Sequence, residues 1–277
     1  MADEQKFDID TFRVKPGATV DLSKHDTRDT PFWDPDDKDG AKLKLLELND
    51  RLEALQELLW AQSKERILVV IQAMDAGGKD GTVRHVFEGV NPTGVRVAAF
   101  KRPTEEELAH DYLWRIHSHV PGDGELTIFN RSHYEDVLVV RVNELVGEKR
   151  WKRRYDHIVA FEEMLADEGT TIIKLFLHIS RDEQRERLQA RLDEPHKNWK
   201  FEAGDLGPRA KWDEYQEAFE DALSKTSTKD APWYIIPADR KWYRNIAISQ
   251  ILIQTLEGLE MTYPEPAEGL ADIVIPE

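Results

Sequence analysis

A glycine-rich stretch, ILVVIQAMDAGGKDGT, has the residue types and spacing of a loop that binds phosphate. An apolar run precedes it, and glycines let backbone N–H groups converge on an anion that side chains would otherwise block. The helix expected to begin near Lys79 would add its positive N-terminal end, and the lysine would add a point charge for a transferred phosphate. Contacts to phosphate or nucleotide are therefore predicted for Ala76, Gly77, Gly78, Asp80, Gly81 and Thr82.

The loop departs from the usual pattern G-x-x-x-x-G-K-[ST] at two positions. Ala73 replaces the first glycine, and Asp80 replaces the Ser or Thr that helps to hold Mg²⁺. Asp75 lies inside the loop, where a carboxylate is expected only if a metal ion separates it from the anion. We therefore predict Asp75 as a ligand of Mg²⁺, direct or through water, with Mn²⁺ as a possible substitute. A glycine-rich turn without a ligand is the alternative, and the strand–loop–helix setting favours the phosphate site.

A second stretch, LTIFNRSHYEDV, resembles the strand that ends in a metal-binding acid beside the phosphates of a nucleotide. Here the strand ends in Asn130, which is a neutral and weaker metal ligand. Arg131 could contact a phosphoryl oxygen. Glu135 and Asp136 could cap the next helix, bind metal or bind an acceptor nucleotide. On this stretch alone, helix capping is the favoured interpretation.

A third stretch, RERLQARLDEPHKNWKF, is basic and polar and is interrupted by proline. Its candidate phosphate-binding residues are Arg185, Arg187, Arg191, Lys197 and Lys200, because arginines can stabilise the charge of a transition state. The alternative is a charged surface helix with pairs at i,i+4. We predict a helical lid over about residues 181–211.

Elements that could position these motifs alternate along the chain. Helical stretches separate five apolar runs at 67–72, 95–100, 125–130, 171–179 and 233–237. This alternation predicts an α/β fold, a parallel sheet covered by helices on both faces. Ligands of such sheets bind at the carboxyl ends of the strands, where the first two motifs lie.

The domain organisation follows from the distribution of turn formers. Residues 1–40 are rich in turn formers and predict an N-terminal arm over the main domain. Residues 41–277 contain no convincing linker and predict one domain that includes the lid. The leucine-rich helix over 43–59 could serve as an interface between copies or as core.

Composition excludes several function classes. A net charge of −16 argues against broad nucleic-acid binding, whereas local basic clusters suit a polyanionic ligand at one site. Apolar runs are too short to span a bilayer, and the acidic N-terminus lacks a signal-peptide pattern. We therefore expect a cytoplasmic protein with no membrane partner. The absence of cysteine excludes thiolate chemistry and argues against a zinc site.

Three stretches together resemble the polyphosphate kinase 2 family: QAMDAGGKDGTVRHVFEGVNPTGVRV, FNRSHYEDVLVVRV and RLDEPHKNWKF. They occur in the family's order, and the resemblance extends roughly from Leu43 to Leu259. It implies a three-layer P-loop kinase-like fold, with a five-stranded parallel sheet and a helical lid. It also implies reversible phosphoryl transfer between inorganic polyphosphate and AMP, ADP or ATP, with Mg²⁺ and without a covalent enzyme intermediate. A homodimer or homotetramer is expected.

The resemblance assigns roles to individual residues. Asp75 and Lys79 match the family's loop aspartate and lysine, and Arg131 matches the arginine after the second motif's strand. Arg191 matches the lid arginine. Many members have aspartate where this chain has Asn130, and the NRSHYED form resembles the branch that accepts AMP as well as ADP. Asn130 and Glu135 join Asp75 as candidate metal ligands, and Asn130 and Asp136 could tune the choice of acceptor.

Two rival functions stay open on the sequence. One is an ATP-dependent nucleotide or small-molecule kinase with the same fold, which would ignore polyphosphate. The other is a non-catalytic sensor of polyphosphate or nucleotide, which the changes at Ala73, Asp80 and Asn130 would suit.

Overall fold

The computed structural model describes residues 7–202, 204, 206–269 and 273–276. Parts of three predicted regions lie outside the described residues: 1–6 of the N-terminal arm, 203 and 205 of the lid, and 270–272 and 277 of the main domain.

A five-stranded sheet with every pair of strands parallel forms the centre of the fold. Its strands are β1 (Arg66–Ala73), β2 (Val95–Ala99), β3 (Leu126–Asn130), β4 (Thr170–His178) and β5 (Trp233–Pro237). Their spatial order is β2-β3-β1-β4-β5, so the chain leaves central β1 toward one edge and later returns to the other. Apolar residues run almost continuously through β1 and β4, as expected for strands buried on both faces. The predicted α/β sheet is confirmed.

The register of the central strands brings the first two motifs to one edge of the sheet. Ile71 of β1 pairs with Asn130 of β3, so the glycine loop and the NRSHYED turn begin beside each other. Leu175 of β4 pairs with Ile71 from the other side, and the lid segment follows the end of β4. All three motifs therefore start at the carboxyl edge of the sheet.

Helices cover the sheet in two groups. They are α1 (Lys38–Gln62), α2 (Lys79–Val86), α3 (Glu105–Ala109), α4 (Trp114–His117), α5 (Val139–Val142), α6 (Glu148–Asp167), α7 (Arg181–Asp193), α8 (Leu206–Ala210), α9 (Trp212–Thr226) and α10 (Lys241–Glu257). One group contains α1, α2 and α10, in which α10 contacts both other helices, and the other contains α5, α6 and α9. The predicted three-layer arrangement is therefore present. Within the described residues, no helix combines the length and apolarity that crossing a membrane requires.

The predicted lid consists of α7, a 3-10 helix over Pro195–Lys200, and α8. Ser180 caps α7, because its hydroxyl accepts a hydrogen bond from the Glu183 N–H at 3.0 Å. The 3-10 helix packs back on α7. The lid is thus a short helical excursion rooted at the end of β4.

Residues 13 and 14 of the predicted N-terminal arm lie beside the outer strand β5. Val14 donates a backbone hydrogen bond to Trp233 at 2.8 Å, and Arg13 forms an isolated antiparallel bridge with Tyr234. Phe12 is buried among core residues. Within α1, Leu52 and Leu59 are buried while Leu43 is exposed, so most of that helix's apolar face belongs to the core.

Candidate active site

Glycines 77 and 78 give the loop after β1 a shape that side chains would prevent. A Cβ on Gly77 would lie 2.5 Å from the Cβ of Ala73, which is closer than real contacts allow. Gly78 has a φ of +105°, in the left-handed region that favours glycine. Helix α2 begins directly after it at Lys79, so the positive end of the helix points into the loop. The predicted strand–loop–helix geometry for an anion is present.

Lys79 lies inside this loop and is largely buried. Its amine donates hydrogen bonds to the carbonyls of Ala73 at 3.0 Å and Met74 at 3.3 Å. Burial lowers its pKa, and the nearby Asp75 carboxylate opposes that effect. The lysine charge is thus held at the loop by groups that a phosphate oxygen could replace.

Arg131 approaches the loop from the end of β3. Its guanidinium forms an ion pair with the Asp75 carboxylate at 3.1 Å. Its backbone has a φ of +62°, which is uncommon for a residue other than glycine and often marks a functional site. A hydrogen bond from its N–H to the carbonyl of Ile71 holds this conformation at 3.2 Å. Asp75 and Lys79 of the first motif therefore meet Arg131 of the second motif.

Glu135 joins this cluster from the 3-10 helix His133–Asp136. Burial raises the pKa of its carboxyl, while the Arg131 and Lys79 charges lower it. When the amide of buried Gln72 is oriented to satisfy its neighbours, it donates to Glu135 at 3.0 Å and accepts from the Ser132 hydroxyl at 3.1 Å. Glu135 is thus fixed beside two cations rather than acting as a surface cap.

Two further predicted residues, Asn130 and Asp80, connect β3 to α2. The Asn130 amide donates a 2.7 Å hydrogen bond to the Asp80 carboxylate. Thr82 differs, because its side chain is fully buried and its hydroxyl has no partner among the described residues. Its contact with phosphate or nucleotide stays a prediction.

Asp136 faces a different group of residues. It forms a 2.7 Å ion pair with Arg154, whose guanidinium lies 4.5 Å from the centre of the Tyr112 ring. Burial raises the pKa of Asp136, and Arg154 and Arg115 lower it. The pair ties the NRSHYED turn to α6, and the predicted role of Asp136 in nucleotide binding stays a prediction.

The predicted lid residues make contacts within the lid. Arg191 donates to the carbonyl of Lys200 at 3.1 Å, and Lys197 pairs with Glu194 at 2.6 Å. The Lys200 amine lies 5.0 Å from the centre of the Trp199 ring, whose residue is 77% exposed. Their phosphate-binding roles and the catalytic role of Arg191 stay predictions.

Two buried arginines at the loop have roles that the sequence did not reveal. Arg187 of α7 donates to the carbonyls of Ala76 and Gly77, and Arg244 of α10 donates to that of Gly78. Burial and the neighbouring Arg187 charge lower the pKa of Arg244 to about 9. Arg187 is one of several lid residues predicted to contact phosphate, and the sequence does not indicate that it binds the loop carbonyls instead. One feature of the sequence does mark Arg244, because it is a charged residue near the start of a long apolar helix.

The residues around the loop fit a magnesium ion that substrate phosphates help to bind. Asp75, Asp80 and Glu135 all act electrostatically on Lys79 and Arg131, so three carboxylates share this site. Among the described residues, no three His, Cys, Asp or Glu side chains converge closely enough to hold a metal by themselves. Mg²⁺ is usually held by one or two carboxylates, waters and phosphate oxygens, which this arrangement permits.

Comparisons with known proteins agree with this geometry. The chain is 61% identical over 264 residues to an AMP/ADP-polyphosphate phosphotransferase of Meiothermus ruber, covering 95% of this chain and 98% of that protein. It is 46% identical to an ADP-polyphosphate phosphotransferase of Rhodopseudomonas palustris, covering 92% and 91%. The crystal structure of polyphosphate kinase 2 from Arthrobacter aurescens TC1 superposes with a TM-score of 0.91 at 44% identity, covering 95% of this chain and 93% of that one. The sequence model for polyphosphate kinase 2 matches residues 35–264, and the chain belongs to that family.

Proposed function

We propose that the protein transfers the terminal phosphoryl group of inorganic polyphosphate to AMP, ADP or both, reversibly and with Mg²⁺ or Mn²⁺. The observation that carries the proposal is the meeting of Lys79, Arg131, Asp75 and Glu135 at the glycine loop. Cations there can neutralise a transferring phosphoryl group, and carboxylates can hold its metal ion. The names of the two curated relatives support these substrates.

A polyanionic donor is supported by a second group of positive charges, on the side of the loop that α10 contacts. Burial lowers the pKa of Lys241 in α10, and the positive charges of Arg187, Arg244 and Lys197 lower it further, while Glu183 raises it. Cations that repel one another at close range would be stabilised by a ligand with about one negative charge per phosphate. We propose that the polyphosphate chain lies along this side, while AMP or ADP approaches from the side of Asp75 and Glu135.

The transfer requires positioning more than acid–base chemistry. The acceptor phosphate oxygen of AMP or ADP is already ionised, so it can attack in line without a general base. The Lys79 amine gives up its hydrogen bonds to the two loop carbonyls and donates to the transferring phosphate instead. Arg131 stabilises the negative charge that develops on that phosphate. Mg²⁺ supplies further charge neutralisation when bound, and Asp75 and Glu135, with Asn130 as a further candidate, would hold it.

The lid completes the site in this proposal. Arg191 would reach the transferring group when the lid closes, and closure would exclude water from it. Lys197 and Lys200 would contact the phosphate chain. An Arg191→Lys variant should then lower kcat more than it raises KM, because a lysine cannot fork onto two phosphoryl oxygens.

We further propose a cytoplasmic homodimer or homotetramer that acts on soluble phosphates, without nucleic-acid or membrane partners. A net charge of −16 opposes binding to nucleic acids and to anionic lipids. Size-exclusion chromatography with light scattering measures the oligomeric state, and a monomeric mass would contradict this part of the proposal.

Parallel incubations with polyphosphate or with ATP as the donor distinguish the proposed function from its rivals. Purified protein with Mg²⁺, polyphosphate and AMP, without ATP, should yield ADP and ATP. Product formed only with ATP as donor would favour an ATP-dependent kinase, and binding without turnover for every nucleotide tested would favour a sensor. Lys79→Met should abolish product, whereas Lys64→Met should not, because Lys64 is an exposed lysine at the other end of β1.

A further inference from the structure

Arg187 connects the glycine loop to the rest of the sheet edge through its whole guanidinium group. Nη1 donates to the carbonyls of Ala76 at 3.1 Å and Gly77 at 2.9 Å. Nη2 donates to the carbonyls of Ala238 at 2.6 Å and Asp239 at 3.3 Å. Nε donates to Glu183 at 2.7 Å, so every N–H of this guanidinium has an acceptor. The side chain is only 8% exposed.

Side chains from outside the loop hold its consecutive carbonyls. The Asp75 carbonyl accepts from the Gln184 amide at 3.0 Å, and the Gly78 carbonyl accepts from Arg244 at 3.3 Å. Arg187 holds the carbonyls of the two residues between them. Helices α7 and α10 therefore fix the backbone orientation throughout this part of the loop.

The orientation of these carbonyls determines where the loop's N–H groups point. A trans peptide directs its N–H opposite to its C=O, so a carbonyl held on Arg187 turns the next N–H away from α7. The peptide from Gly77 to Gly78 is fixed in this way, immediately before α2 begins. Ala76 has a φ of +59°, an uncommon conformation that these hydrogen bonds stabilise.

The other end of the guanidinium rests on a well-anchored segment after β5. The Asp239 carboxylate accepts from the Thr27 hydroxyl at 2.9 Å and from the Ser180 N–H at 2.8 Å. Asp239 is itself buried. Arg187 thus joins the loop to a platform formed by the N-terminal arm, β5 and the cap of α7.

We propose that Arg187 is a positioning residue that keeps the glycine loop in its phosphate-binding conformation, with Gln184 and Arg244 completing the support. It acts through the loop backbone rather than on the transferred phosphoryl group. A consequence is that the first half of α7 moves with the loop and lid closure begins after Arg187. The proposal depends on the proposed function for its kinetic test but not for its structural test.

The test compares Arg187→Met with Arg66→Met in the full-length protein. Arg66 is a suitable control, because its guanidinium also donates to a carboxylate and to a backbone carbonyl. These are the Asp123 carboxylate at 2.6 Å and the Glu168 carbonyl at 2.8 Å. Arg66 lies at the opposite end of β1 from the glycine loop. Hydrogen exchange should become faster in loop residues 74–79 of Arg187→Met only. The kcat/KM for AMP should fall about 100-fold in Arg187→Met, the loss expected when a reacting group is misplaced by about 1 Å.

Two further variants separate positioning from simple loss of stability. Arg187→Lys should show intermediate loop exchange, because one ammonium group cannot hold both sides of the fork. If Arg187→Met does not fold, Arg187→Lys can be compared with Arg66→Met in its place, in both loop exchange and activity. Guanidinium ion at millimolar concentration should partly restore activity to Arg187→Ala and not to Lys79→Met.

Three results would overturn the proposal: wild-type exchange in the loop of both Arg187→Met and Arg187→Lys, an activity loss in Arg187→Met no greater than that of Arg66→Met, or no restoration of Arg187→Ala by guanidinium. An inactive wild-type enzyme would instead refute the proposed function, and the exchange comparison would still decide the role of Arg187.

Discussion

Lys174 of β4 offers a sharp test of what holds the NRSHYED turn in place. Its amine donates to the Tyr134 hydroxyl at 2.9 Å, the Glu162 carboxylate at 2.5 Å and the Thr226 carbonyl at 2.7 Å. Lys174 is 0% exposed and Glu162 is 1% exposed. Tyr134 and His133, which also contact Glu162, belong to the turn that carries Glu135. Loss of the amine should therefore affect both stability and the site.

The expected cost of Lys174→Met follows from the buried carboxylate that it leaves behind. Removing one partner of a buried ion pair typically costs about 3–5 kcal/mol. Glu162 keeps its contacts with Tyr134 and His133, so the lower value of about 3 kcal/mol applies. For a chain of this size each kcal/mol lowers the melting temperature by about 2–4 °C, which gives a decrease of roughly 6–12 °C.

The assay is thermal unfolding of four proteins: the wild type, Lys174→Met, Glu162→Leu and the double variant. The double variant should recover most of the stability that either single change removes, because no buried charge is left unpaired. A loss below about 1 kcal/mol in Lys174→Met, as for a surface ion pair, would refute this reasoning. So would additive losses in the double variant.

The pH dependence provides an independent check on the same pair. Burial raises the pKa of Glu162, but the Lys174 charge and the contacts with His133 and Lys174 together outweigh it and hold the pKa below its ordinary 4.5. A lowered pKa contributes stability above pH 4.5 that is lost as the pH falls through the folded-state value. The difference in melting temperature between the wild type and Lys174→Met should therefore narrow as the pH falls below 4.5 toward the folded-state pKa of Glu162.

Two more predictions concern the loop and its carboxylates. Gly78→Ala should lower the melting temperature and raise KM for polyphosphate, because its Cβ would lie 2.1 Å from a nitrogen of Arg244 in addition to the unfavourable φ; unchanged melting and kinetics would contradict it. Glu135→Gln should abolish most transfer yet raise the melting temperature at pH 7, because burial raises the pKa of this carboxyl and its ionised form costs stability. That gain should disappear as the pH falls toward 4.5, and a lower melting temperature for Glu135→Gln at pH 7 would show that its charge is stabilising.

Much of the fold was predictable because its signals are local. Apolar runs identified all five strands, and strand–helix alternation identified the parallel sheet. The loop glycines and Lys79 were predictable from sequence because phosphate loops require small residues and a cation at fixed spacing.

The remaining parts of the site depend on tertiary contacts that spacing does not encode. Arg187 and Arg244 reach the loop from elements about 110 and 166 residues away in sequence, so no local pattern marks them. The NRSHYED stretch by itself favours helix capping for Glu135. Only the tertiary fold places this carboxylate beside Lys79 and Arg131. Gln72 looked like one polar residue in a strand, and its contact with Glu135 exists only once β1 lies beside β3.

Phosphorus NMR of one reaction follows the donor and acceptor phosphates together and decides whether polyphosphate is the donor. The wild-type protein is mixed with Mg²⁺, polyphosphate and AMP in the absence of ATP, and the terminal-phosphate and nucleotide signals are followed over time. We expect terminal polyphosphate groups to be consumed as the β-phosphate of ADP appears, and Lys79→Met to stop both changes. Nucleotide signals that stay constant in the wild type, or a Lys79→Met variant that keeps full turnover, would contradict this expectation.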